Sequence, residues 1–135
     1  LIFGSYNKCF DHPKSENAWL SRDEEMVEAY DRDPLCGFPF TASAYLDLLS
    51  LQYFSNTKLW YKTLDPTLPM LLISGSMDPV GNYGKGIGYI EKQLQKVGIH
   101  DVTVWLYPEA RHELLNETNR DEVMRDVLSW FAVHL

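Results

Sequence analysis

Apolar and polar positions follow two regimes along the chain, and the change comes near residue 65. Before it, apolar residues recur at helical spacing. Ser21 and Glu24 stand three apart as in a capping box, and Met26, Val27 and Tyr30 follow along one face, which predicts a first helix. That helix should stop before Asp33-Pro34, because proline pushes the residue preceding it out of the α region. Thr41 or Ser43 then opens a second helix through "AYLDLLSLQYF", ending near Asn56. Its Tyr45, Leu48, Leu49 and Phe54 are greasy enough to line a pocket, although an apolar helical face usually packs on a core.

After Asp65-Pro66 the order becomes strand, helix, strand, helix. "PMLLIS" is a short continuous apolar run between Pro69 and Gly75, as expected of a parallel strand covered on both faces. "GYIEKQLQKVG", with Ile87 just before it, places Ile87, Ile90, Leu94 and Val97 at helical spacing and ends on Gly98. "DVTVWLY", residues 101–107, is a β-branched and aromatic strand. Asn119 and Glu122 repeat the capping spacing before a helix that should turn Val123, Val127, Trp130 and Phe131 inward. This order implies a right-handed βαβ unit in a parallel sheet, hence an α/β fold. Two strands are too few for a sheet that stands alone, so part of the sheet is expected to come from elsewhere.

Composition narrows the picture. The 135 residues are 45% hydrophobic and 13% aromatic, which suits one folded domain rather than a disordered chain. The net charge of −7 argues against nucleic acid as a partner, since phosphate binding requires a basic face. No apolar run is long enough to span a bilayer. Cys9 and Cys36 form no CxxC pair and are read as reduced thiols of a cytoplasmic protein, though one disulfide stays open. The start at Leu1, with neither initiator Met nor signal pattern, reads as that of a fragment or a processed product.

Chemistry in an open α/β sheet collects in the loops at the carboxyl ends of its strands. Asp78 lies five positions after Ile73, and His112 five after Tyr107. Adjacent parallel strands end at one edge, so the two side chains should meet there. A carboxylate accepting from imidazole Nδ1–H fixes the tautomer and stabilises the imidazolium formed on proton transfer. Taken alone, Asp78 before Pro79 suits a helix N-cap or Asx-turn, and His112 an ordinary loop histidine. Their paired placement favours the chemical reading. Three alternatives fail on spacing. "HELLN" has Asn116 where a zinc-protease motif needs its second histidine. "GNYGKGIG" has Tyr89 where a dinucleotide loop needs glycine, and GKG in place of the P-loop's GK[ST]. The four histidines show no other metal-like spacing, so no metal and no cofactor are expected.

"LLISGSMDPVG", "VTVWLYPEARHELLNE" and "NRDEVMRDVLSWFAVHL" together resemble the C-terminal end of an α/β-hydrolase, and most resemble the serine hydrolases called lysophospholipases or monoacylglycerol lipases. "FDHPKSENAWLSRDEEMVEAYDRDPLCGF" is similar to the cap segment of those enzymes. The resemblance implies a helical cap or lid over residues 1–64 and a C-terminal βαβα part of the core over 65–135. It implies Asp78 as the triad acid and His112 as the general base, in the order Ser, Asp, His. Glu109-Ala110 departs slightly from the small residues or glycines common before Arg-His in the family.

The nucleophile departs more. The fold needs a G-x-S-x-G elbow, and Ser5, Ser43, Ser74 and Ser76 all lack the flanking glycines, so no nucleophile is expected in this chain. The resemblance therefore implies the C-terminal portion of a serine ester hydrolase acting on a small lipid or ester, inactive alone. A dehalogenase or peptidase of the same fold, or a non-catalytic fragment or binding module, are the alternatives. A chain with so small a sheet is expected to self-associate or to pair with a complementary N-terminal half.

Overall fold

A computed structural model describes residues 5–134. The first helix, α1 (Glu24–Arg32), starts at Asp23, whose carboxylate accepts from the amides of Glu25 and Met26. Ser21, expected to cap it, is engaged elsewhere: its hydroxyl donates to the Asn116 carbonyl at 2.7 Å and accepts from the Asp23 amide. The helix ends where Pro34 requires, with Asp33 extended. Thr41 caps α2 (Ala42–Ser55) through the Ala44 amide. No residue of α2 is buried, and Leu46, Leu51 and Tyr53 are each more than 60% exposed, so this apolar helix lacks the core contact that its composition anticipates. A short α3 (Lys58–Tyr61), capped by Thr57, was not foreseen from the sequence and buries Tyr61.

β1 (Met70–Gly75) and β2 (Val102–Tyr107) run parallel, in register from Met70 opposite Val102 to Gly75 opposite Tyr107. α4 (Lys85–Lys96) connects them and packs on both, and α5 (Arg120–His134) follows β2. The period of two along the strands divides the core. Met70, Leu72 and Val102 face a cluster built on Tyr61, Leu94 and Ile99. Ile73, Trp105 and Tyr107 face the other way, toward Ala110, Leu114, Val123 and Val127. Trp130 fastens α5 to the same face, its indole N–H donating to Thr103 Oγ1 at 3.0 Å. Phe131, expected inward, is 44% exposed.

α4 closes as its Gly98 predicts. Gly98, at φ +93°, donates to the Gln95 carbonyl and Ile99 to the Leu94 carbonyl, a Schellman ending in which Ile99 and Leu94 share one apolar cluster. Asn119 does not form the expected reciprocal box before α5. Its Oδ1 accepts from Arg22 Nη2 and its amide donates to Glu122. Among the described residues β1 pairs only with β2, leaving its other edge open.

Candidate active site

The loops after β1 and β2 are stitched together before their side chains meet. The Ser76 amide donates to the Tyr107 carbonyl and the Met77 amide to the Ala110 carbonyl, each at 2.9 Å. Gly75 makes this approach possible, since a Cβ there would lie 2.2 Å from the carbonyl oxygens of both Ala110 and Arg111. The Ser76 hydroxyl accepts from the Glu109 amide at 2.8 Å, and Ser74 Oγ contacts the Gly75 carbonyl, so both nearby serines serve the backbone. Glu109 itself has φ +61°, the left-handed region that glycine tolerates best.

In this frame His112 Nδ1 lies 3.1 Å from Asp78 Oδ1. The same oxygen accepts from the Val80 amide at 2.9 Å, which helps to orient the carboxylate toward the histidine. The Asp78 side chain is 10% exposed and that of His112 37%, so one partner is enclosed and the other reaches solvent. The bond from Asp78 raises the imidazole pKa against the opposing effect of burial, with help from the charges of Asp78 and Glu113. Burial acts to raise the Asp78 carboxyl, but the His112 bond and charge and the amides of Val80 and Gly81 together carry it below the usual carboxylate range. Among the described residues none hydrogen-bonds to Nε2. That nitrogen is available to a reacting group.

The histidine is also held from the N-terminal side. Its amide donates to the Trp19 carbonyl at 3.4 Å, and the Glu113 amide to the Leu20 carbonyl at 2.8 Å. The Trp19 ring sits 5.3 Å from the imidazole, tilted by 46°. Arg111 donates to the carbonyls of Ala18 and Ser21 and stacks over Phe10 at 4.0 Å. Beneath them Glu117, wholly buried, accepts from Arg22 Nε and from the amides of Arg22, Arg111 and Thr118. Sequence reasoning missed Trp19, Arg22, Arg111 and Glu117 as parts of the site. Their bonds join segments some 90 residues apart, which no local periodicity records. An open groove of about 540 Å³ runs beside the site, between α2 and α4 along the free edge of β1, and includes Ser74, Val80, Gly81 and Tyr89.

A family model described as "Serine aminopeptidase, S33" matches residues 5–119. The chain belongs to this serine aminopeptidase S33 family. The fold is that of its α/β-hydrolases. The described structure superimposes on a highly thermostable carboxyl esterase from Bacillus coagulans, in complex with glycerol, with a TM-score of 0.89 and 27% identity, covering 98% of this chain and 44% of that one. A lipase in its open form gives 0.84 and 26% identity, over 96% of this chain and 42% of that one. Among curated proteins, a monoacylglycerol lipase of Mycolicibacterium smegmatis is 29% identical over 120 residues, which are 86% of this chain and 39% of that protein. The chain thus spans about two fifths of the length of the relatives it matches. No helix among the described residues is long and apolar enough to cross a membrane.

Proposed function

We propose that this chain is the C-terminal portion of a serine ester hydrolase of the lysophospholipase or monoacylglycerol lipase kind, and that Asp78 and His112 are its triad acid and base. The observation that carries the reading is the Nδ1 to Oδ1 contact of 3.1 Å, with Nε2 not bonded by any described residue. With Nδ1–H donating to Asp78, Nε2 carries the lone pair and can take the hydroxyl proton of a serine supplied from outside this chain. That serine oxygen adds to the ester carbonyl. The imidazolium, stabilised by Asp78, then gives the proton to the departing alcohol, and a water deprotonated by the same nitrogen releases the acid. Residues 1–64 would form the cap and 65–135 part of the core, and the apolar surface of α2 suits an acyl chain. The monoacylglycerol lipase among the relatives supports a glycerol ester as substrate. The free thiols of Cys9 and Cys36 support a cytoplasmic setting.

The test is reconstitution. The chain alone should leave p-nitrophenyl butyrate and a fluorophosphonate probe untouched. Joined to an upstream segment carrying a G-x-S-x-G elbow it should hydrolyse the ester, and His112→Ala should abolish the gain. Turnover by the chain alone, with a serine of this chain labelled, sinks the proposal. The family's own description favours a second reading, an aminopeptidase. Release of p-nitroaniline from amino-acid anilides by the reconstituted enzyme, without ester turnover, would select it.

A further inference from the structure

Glu117 is the most enclosed charged side chain described, at 0% exposure, and it lies outside the dyad. A carboxylate offers about four acceptor positions, and a buried one left unpaired is strongly destabilising. Here all are used. Oε1 accepts from the Arg111 amide at 2.8 Å and from the Arg22 amide at 3.1 Å. Oε2 accepts from Arg22 Nε at 2.8 Å and from the Thr118 amide at 3.1 Å. Arg22 Nη2 continues to Asn119 Oδ1 at 2.8 Å.

These donors are placed with a consequence. Arg111 directly precedes His112, and Arg22 follows the two carbonyls, of Trp19 and Leu20, that accept from His112 and Glu113. One oxygen of Glu117 therefore holds the amide before the histidine and the segment against which the histidine's backbone lies. The carboxylate touches neither imidazole nor Asp78. From this geometry we infer that Glu117 is a positioning residue, which sets the His112 ring against Asp78 by clamping residues 18–22 to the histidine loop. The inference rests on reading Asp78 and His112 as the working dyad. The remaining donors on the carboxylate, Arg22 Nε and the Thr118 amide, compensate its buried charge and hold it at this junction.

A double-mutant cycle read by NMR titration of His112 in the full chain tests it. In Asp78→Asn the histidine pKa should fall. Glu117→Gln, which keeps the shape and loses the charge, should produce roughly half or more of that fall, and the double variant should add little to Asp78→Asn alone. Ser21→Ala removes another bond between the same two segments, to the Asn116 carbonyl, and one local bond from the Asp23 amide. It should leave His112 unchanged, whereas a purely structural role for Glu117 would make the two variants alike. Should Glu117→Gln not fold, Arg22→Lys removes the Nε donor to Oε2 and should give a smaller fall in the same direction. A fall in Asp78→Asn with none in Glu117→Gln or Arg22→Lys overturns the positioning role alone. No fall in Asp78→Asn overturns the dyad reading instead.

Discussion

Replacing Asp78 by asparagine removes a charge and little else. The amide oxygen can still accept from His112 Nδ1–H and from the Val80 amide, so these two hydrogen bonds can be kept. A hydrogen bond to a charged group contributes about 1.5–3 kcal/mol and a neutral one about 0.5–1.5. The imidazole is 37% exposed, and 3.1 Å is longer than a tight charge-assisted bond, so solvent screening discounts the difference to about 1 kcal/mol. The pH dependence follows from the two shifts. His112 is raised above its ordinary 6.5, so its contribution is complete below that value and is lost as pH rises through the folded-state value. Asp78 is lowered below its ordinary 3.8, so its contribution is complete above that value and is lost as pH falls through the folded-state value. The wild type should therefore exceed Asp78→Asn by about 1 kcal/mol between roughly pH 4 and pH 6.5, and by much less near pH 8.5. Urea unfolding at about pH 5.5 and about pH 8.5, followed by tryptophan fluorescence, measures both differences. Equal differences at the two pH values would refute the ion pair.

Three further outcomes are expected. Gly75→Ala should cost more than about 3 kcal/mol in urea unfolding, or prevent folding, because its Cβ meets two backbone oxygens that cannot move without displacing the His112 loop. Glu109→Gly should stabilise by up to about 1 kcal/mol, since it relieves a left-handed residue whose ion pair with Arg22, at 3.9 Å, is long and whose side chain is exposed. The isolated chain should associate at micromolar concentration in light scattering, and Leu46→Glu with Leu51→Glu should shift it toward monomer; a monomeric wild type would contradict this.

The parts legible in the sequence are those whose physics is local. A strand covered on both faces writes a continuous apolar run, and "MLLISG" forms β1 accordingly. Ile87 and Leu94 mark the buried side of α4, and Gly98 its end, because helix periodicity and a left-handed terminus leave direct traces. Asp78 and His112 could be paired because two parallel strands must end at one edge. Long-range bonds leave no such trace. Ser21 has the spacing of a cap, yet Asn116 engages its hydroxyl and Asp23 takes over. Glu117 reads as one more acid in a polar loop until the fold encloses it among four donors. The exposure of α2 was equally invisible, since an apolar helix gives no sign of what it packs against.

If Asp78 holds His112 ready for proton transfer at Nε2, NMR titration of the imidazole in wild type and Asp78→Asn will register it. The wild-type ring should titrate above its ordinary 6.5, with the neutral form protonated at Nδ1, and the substitution should lower that value. An unchanged value between the two proteins, or a neutral ring protonated at Nε2, would contradict the account.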